Sequence, residues 1–395
     1  MRVKLLHIQA KRRPDPFSIS SPSDFVCAEE ESVDAHIVIR NPDISLYCLD
    51  HKNQTAMFVE TPTGTDLSQA PFYYQAQYEN ATRLIVVPFG TFHQLASSLH
   101  LDPQRLSLIY STSRSGSTLL CSAFNQVEGV ATFSEPDVFS QLVELRAWDG
   151  SRDAEIGSLL RSCTRILCGA SNHVTHPRAC AIKFRGFGVE AADLMYEIFP
   201  DARIIFLYRD AISWLQSVAR AFMREDHESE EYLASLQRQL SLHISKVAHY
   251  SAGGEERPSI IKLAMLAWLS TLERYLELHE QGAPVIAARF KDLISSPEEI
   301  LGAIFRFCHI DVNDLSDVTR VLERDSQAGT DISRKALRQR EIRLPKNYLA
   351  EVHNVLKEQA TIRRPDFVLP GTLKVSPVQR HEIGEQDPNQ AKRHS

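Results

Sequence analysis

The segment that most constrains the fold is Leu106–Val127, LSLIYSTSRSGSTLLCSAFNQV. An apolar run ends at Tyr110, a turn of small residues follows, and Leu119, Leu120, Ala123, Phe124 and Val127 then recur with helical spacing. A strand, a small-residue turn and a helix start, in that order, aim backbone N–H groups and the positive helix end at one point. Such a point cradles an oxyanion. An ordinary strand-to-helix turn shares this outline, so the surrounding sequence has to decide between the two.

From Leu106 onward the surroundings are regular. Short β-branched or apolar runs at Leu106–Tyr110, Val130–Phe133, Ala179–Lys183, Arg203–Tyr208 and Val285–Arg289 alternate with helical-period segments. That alternation predicts an α/β fold of the P-loop type, a parallel sheet flanked by helices. Ligands of such sheets sit at the carboxyl ends of the strands. Before Leu106, the runs His36–Arg40, Ala56–Glu60 and Leu84–Pro88 read as strands of a smaller N-terminal α/β module. Between them, Ala70–Ala81 has Tyr74 and Tyr78 four apart, on one helical face that is read as packed core rather than a ligand platform.

The expected organisation is therefore a module over 1–102, a nucleotide-binding domain over 103–370, and a disordered tail over 371–395 with few large apolar groups. The 24% of charged residues and 43% of hydrophobic ones allow a sizeable core. Lys and Arg number 44 against 50 Asp and Glu, a net charge of -6, so no global field favours nucleic acid or an anionic membrane. An anionic ligand must be caught by a local site. The seven cysteines are scattered, odd in number and without a C-x-x-C pair, which does not make a disulfide framework. No stretch approaches the about 18 apolar residues of a membrane span, and the N-terminus lacks a signal-peptide core. A soluble, cytoplasmic protein is expected.

A nucleoside-triphosphatase loop reads G-x-x-x-x-G-K-[ST]. Here Ser111 stands at the first Gly position, Ser117 follows Gly116 where Lys belongs, and the nearest cation, Arg114, precedes Gly116 by two residues. No apolar run ends in a magnesium-binding Asp, since Tyr208-Arg209-Asp210 puts a cation there. A kinase or nucleotide hydrolase is thereby disfavoured, and a binding protein without turnover stays as a further alternative.

Ser113-Arg114-Ser115-Gly116-Ser117-Thr118-Leu119-Leu120 resembles instead the 5′-phosphosulfate loop of the PAPS-dependent sulfotransferases, especially their tyrosylprotein and carbohydrate branches. Leu207-Tyr208-Arg209-Asp210 followed by Ser217 resembles the family's 3′-phosphate strand and helix. Arg209 would meet that phosphate with a forked guanidinium, although a surface Arg-Asp pair with a helix-capping Asp210 would look the same in sequence. Arg289-Phe290-Lys291-Asp292-Leu293, with a helix started at Pro297, is similar to the family's Y-E-D-L motif, Phe replacing Tyr. These segments cover Leu106–Ile310, about half the chain, in the family's order.

The resemblance implies a PAPS donor with PAP as product, bound by Arg114, Ser115, Gly116, Ser117, Thr118, Arg209 and Ser217, and no metal. It implies sulfuryl transfer in line to a hydroxyl or amine of a small-molecule, carbohydrate or peptide acceptor. Arg114 and Lys183 would stabilise charge growing on the leaving phosphate, and Glu135, 21 residues after Arg114, would be the base. The bland readings are a strand-end surface Lys183 and a Glu135 that only pairs with Arg114. The cytosolic branch's His after the third-strand Lys is missing from Phe184-Arg185-Gly186-Phe187. His173 and His176 supply a second-choice base. With Cys163 and Cys168 they outline a zinc pattern, disfavoured because the cysteine gap falls in a helix. The N-terminal module resembles no known family; acceptor recognition, homodimerisation and packing all stay open for it.

Overall fold

The computed structural model describes residues 1–170, 177–223, 229–254, 257–340 and 344–375. His173, His176 and most of the acidic run 224–231 lie outside the described residues.

The second half of the chain carries the constraint set by its first strand. Strands β1 (Arg2–Lys11), β2 (Phe25–Asp34), β3 (Ile44–Asp50), β4 (Thr55–Glu60) and β5 (Arg83–Pro88) precede it, and β6 (Leu106–Ser111), β7 (Val130–Ser134), β8 (Ala179–Lys183), β9 (Arg203–Tyr208) and β10 (Val285–Arg289) follow. The later five form one parallel sheet in the order β10-β9-β6-β8-β7. All six residues of β6 are buried, as expected of a central strand covered on both faces, which is why its sequence runs apolar without alternation. The chain leaves β6 for one edge, returns to β8, then crosses to β9 on the other side. The strand order therefore switches at β6, where an open α/β sheet offers a ligand crevice. Arg114, Glu135, Arg209 and Phe290 follow the ends of β6, β7, β9 and β10, and Lys183 ends β8.

The N-terminal module is an antiparallel sheet of order β2-β1-β5-β4-β3 with helices. Two of its three anticipated strands are β4 and β5. The third, His36–Arg40, is instead a helical turn, Ile37–Arg40, closed by Asn41 N donating to Ile37 O at 3.0 Å. Only Val38 is buried in that turn; a short apolar run does not distinguish strand from helix by periodicity. The edge strand β3 is blunted by a side chain: Gln141 accepts from Leu49 N at 2.8 Å and donates back to Leu49 O at 3.2 Å, as a paired strand would.

One continuous hydrophobic core runs from Val3 and Phe58 in the module through Leu108, Phe139 and Phe206 to Leu369. The two sheets are thus packed together by burial, not tethered. Residues 371–375, placed in the tail by sequence, begin as structure: Ala287 N donates to Gly371 O and Leu373 N to Ala287 O, at 3.2 and 2.8 Å, on the free edge of β10. The cysteine reading needs a correction as well. A disulfide joins Cys168, near the end of helix Asp153–Gly169, to Cys180 in β8, with Cα atoms 5.9 Å apart. The odd count hid one local pair that only the packing of that helix on the sheet brings together. Among the described residues no helix is long and apolar enough to cross a membrane.

Candidate functional site

The loop after β6 is built of unusual backbone. Ser113 and Arg114 have φ of 44° and 49°, and Gly116, which precedes helix Ser117–Asn125, has φ of 89°. Left-handed residues without a glycine's freedom cost on the order of 1–3 kcal/mol each and persist only where the surroundings enforce them. Several anchors do so. Thr112 N and Ser115 Oγ both donate to Leu207 O, at 3.0 and 2.9 Å. The Trp214 indole donates to Thr112 O, and Ser111 Oγ donates to Ser117 Oγ at 3.1 Å. A Cβ at position 116 would stand 2.8 Å from the Phe290 ring, so glycine is required twice over.

Against this loop lies a cavity of about 460 Å³. Its walls include Arg114, Gly116, Ser117 and Thr118 of the loop, and Arg209 and Ser217 of the β9 end and the following helix, Ala211–Phe222. Asp210 caps that helix, accepting from Ser213 N at 2.9 Å, so Arg209 turns to the cavity while its neighbour performs the capping role. The Arg209 guanidinium rests 3.6 Å over the Phe290 ring centroid. Phe290 thus limits the loop at Gly116 and supports the cation.

These two arginines are short of partners. The Nε atoms of Arg114 and Arg209 are buried and without a hydrogen-bond partner among the described residues. Burial, then the Arg114 charge, lowers Arg209 to about 10, Asp210 opposing weakly. Burial also lowers Arg114, with Asp325 pulling the other way. Two desolvated cations pushed toward losing their protons, with N–H groups unspent, are a site for an anion. A loop of left-handed residues before a helix adds backbone donors to it.

The other candidates meet beside Thr118. Lys183, only 3% exposed, is ion-paired with Glu135 and donates to Thr118 Oγ1 at 3.4 Å. It is therefore a buried lysine rather than a surface one, and Glu135 pairs with it rather than with Arg114. Glu135 itself has φ of 61°, held by its own N–H donating to Lys183 O at 2.7 Å. The Phe72 ring of the N-terminal module lies 5.8 Å from Lys183 Nζ. Ser134 Oγ donates to Pro71 O at 2.7 Å, so the module reaches the site directly.

Of the residues singled out in sequence, Arg114, Gly116, Ser117, Thr118, Arg209 and Ser217 share the cavity wall, and Lys183 and Glu135 stand behind Thr118. Ser115 differs: its hydroxyl is turned into the sheet, and its side chain is fully buried. Asp292 is structural, taking Arg289 Nε at 2.6 Å.

Sequence reasoning missed the cationic far wall, Arg220, Arg334, Arg338 and Arg340. The signal was present in Arg334–Arg340, RKALRQR, whose first and fifth residues share a helical face. The preceding segment folds over the loop through Gln327, whose Oε1 accepts from Arg114 Nη1 at 2.5 Å. Cys168 of the zinc pattern is spent in the disulfide, and among the described residues no cluster of three or more His, Cys, Asp or Glu could hold a metal ion.

The family model described as the Sulfotransferase family matches residues 108–314, which include Arg114, Glu135, Lys183, Arg209 and Phe290 but neither Gln327 nor the last arginines. No curated protein matches the chain. Among solved structures, a sulfotransferase from Alicyclobacillus acidocaldarius is similar at 15% identity and a TM-score of 0.38, over 67% of this chain and 97% of that one. The sulfotransferase domain from the curacin biosynthetic pathway is similar at 14% identity and 0.37, over 64% and 97%. Mouse sulfotransferase SULT7A1, solved with PAP, is similar at 15% identity and 0.36, over 68% and 88%.

Proposed function

This chain belongs to the sulfotransferase family, and from that premise we propose that it moves a sulfuryl group from PAPS to an acceptor hydroxyl or amine. The observation that carries the reading is the pair of half-buried guanidinium groups at a left-handed loop, each with a buried Nε that has no hydrogen-bond partner among the described residues. It fits a donor with phosphate at two ends: the loop, with Arg114, Ser117 and Thr118, for the 5′-phosphosulfate, and Arg209 with Ser217 for the 3′-phosphate.

PAPS supplies an activated SO₃ group. In the transfer, an acceptor oxygen forms a bond to sulfur as the bond from sulfur to the bridging phosphate oxygen breaks, and the electron pair stays on the phosphate. Arg114 and Lys183 meet that growing charge. Glu135 takes the acceptor proton, and its ion pair with Lys183 holds both groups beside Thr118. The left-handed backbone at Glu135 fits a residue positioned for chemistry. No protein-bound metal enters this scheme. We place the reaction in the cytoplasm, with five of the seven cysteines free and against the Cys168–Cys180 bridge, which an oxidising compartment favours; finding that bridge fully formed in protein from cells would overturn the placement.

Calorimetry with PAP, ATP and GTP tests the donor. PAP binding that magnesium does not affect supports the proposal; magnesium-dependent ATP binding returns the chain to the kinase and hydrolase class. Glu135→Gln is expected to leave PAP affinity near wild type and lower turnover by about 10²–10⁴-fold. Full activity in that variant would remove Glu135 from the base role.

A further inference from the structure

A second cavity, of about 230 Å³, adjoins the first and shares Thr118, Asp325 and Ser326 with it. One wall is the N-terminal module's segment 68–71, the opposite one the outer face of helix Ser117–Asn125. The module is fastened there. Ser134 Oγ holds Pro71 O, and Asn125 Nδ2 approaches Ser68 O at 3.5 Å. Glu135 directly follows Ser134, and Lys183 bonds Thr118, so the join of the two cavities lies beside the proposed base and cation.

The chemistry of this lining is specific. Ser68, Gln69, Ser122, Asn125 and Gln126 are neutral hydroxyls and amides. Arg324 and Asp325 add one charge of each sign at the late segment, and Ala70, Pro71, Val321 and Ala328 supply small apolar surface. Among the described residues no aromatic side chain lines the cavity, so a flat phenol or sterol finds no ring there to pack on. Cys121, also in the wall, is kept a neutral thiol because burial pushes it up to about 12. Ser68 Oγ and Gln69 Nε2 donate to Asp66, Ser122 Oγ to Thr118 O and Asn125 Nδ2 to Ser68 O, so their oxygens are left as acceptors for the hydroxyls of a ligand that carries several. The volume is below the about 300–1,000 Å³ of pockets for drug-sized ligands, which fits one sugar-sized ring.

We propose that this second cavity is the acceptor site, that the N-terminal module exists to build its outer wall, and that the acceptor presents a hydroxyl of a neutral polyhydroxylated ring, a monosaccharide or cyclitol unit. The inference rests on the sulfotransferase reading above. It gives the module a role in selecting the acceptor, while donor binding stays with the parallel sheet.

The test uses the full chain saturated with PAP. Saturation-transfer NMR is run with methyl β-galactoside, methyl α-glucoside and myo-inositol as probes, against 2-naphthol and a tyrosyl peptide. The same compounds are then offered with ³⁵S-labelled PAPS. At least one polyol is expected to give a binding signal and accept label. Gln69→Trp, an exposed change, and Ser122→Trp are each expected to reduce both at least about fivefold by filling the cavity, with PAP affinity within about twofold of wild type. The inference is overturned if only naphthol or the peptide binds and accepts label, if none of the probes does while PAP binds, or if polyol transfer ignores both tryptophans. Loss of PAP binding by the unmodified protein overturns the donor reading itself.

Discussion

Two pairs of arginines in this molecule are made of the same parts and do opposite things. Arg13 and Arg185 are buried together, and their guanidinium groups lie 4.9 and 4.1 Å from the Tyr74 ring centroid. Between them sits Asp137, wholly buried, with Arg185 Nε 2.8 Å and Arg13 Nη2 3.5 Å from its oxygens, and Ser20 N donating to it at 2.8 Å. Burial works against the Arg185 charge, but Asp137, Tyr74 and Glu135 together raise it. Arg114 and Arg209 are half-buried, and Arg209 also rests on a ring, Phe290. The side-chain partner of Arg114 is a neutral amide, Gln327, and Arg209 is lowered. A cation compensated inside the fold joins the N-terminal module to the parallel sheet. A cation left uncompensated is completed by a ligand.

The largest expected effect breaks the first pair. Asp137→Asn leaves two guanidinium groups in the core facing an amide, and removing one partner of a buried ion pair costs about 3–5 kcal/mol. Urea unfolding followed by tryptophan fluorescence is expected to show that loss as a lower midpoint. Arg209→Ala is the contrast: folding stability holds or rises, because a desolvated charge repelled by Arg114 is gone. If Arg209→Ala destabilises as strongly as Asp137→Asn, the two pairs are alike and both are structural.

Arg209→Ala should instead weaken PAP. A charged hydrogen bond to phosphate is worth about 1.5–3 kcal/mol, roughly 10–150-fold in the dissociation constant. Calorimetry reads this directly, and an unchanged constant would take Arg209 out of the donor site. Arg185→Lys, which keeps the charge beside Asp137, is expected to leave PAP affinity unaltered.

The lowered Arg209 also predicts a pH dependence of smaller size. Its folded value of about 10 lies below the ordinary 12.5. The unfolded chain therefore binds more protons between those values, and this group's destabilising contribution, full at neutral pH, is relieved as pH rises through about 10. Binding has the reverse slope. A phosphate needs the charged form, so PAP affinity is expected to hold from pH 8 to 9 and to fall above about 10. A curve still flat at about pH 10.5, with the fold intact by circular dichroism, would show that Arg209 keeps its charge there and that burial lowers it by less than this.

Much of this contrast was legible in the chain, for a physical reason. Arg114, Arg209, Lys183 and Glu135 lie at or just past the ends of strands whose apolar runs are local signals, and a parallel sheet brings strand ends together whatever the helices do. The Arg13, Asp137 and Arg185 cluster was not legible, because its members come from the end of β1, the residues after β7 and those after β8, and only the docking of two sheets makes them neighbours. Strands β1, β2 and β3 of the module were missed in the same way. β1 and β2, ten residues each, pair along nearly their whole length, yet β2 reads FVCAEEESVD, and its acidic stretch conceals a strand. The far arginine wall failed differently: its signal was local, at Arg334 and Arg338, and related enzymes bring a late loop over the cofactor at Asp325–Arg334, but no motif there matches residue by residue.

The smallest effect concerns the neutral partner of Arg114. In the internal pair the partner is a carboxylate, which satisfies the cation and leaves it unavailable. Gln327 offers only an amide oxygen, which orients Arg114 Nη1 without neutralising it. Such a bond contributes about 0.5–1.5 kcal/mol, so Gln327→Ala is expected to weaken PAP about 2–10-fold by loosening the guanidinium, with stability nearly unchanged. Tighter PAP binding in this variant would mean that the amide competes with the ligand, and that Arg114 belongs with the compensated pair after all.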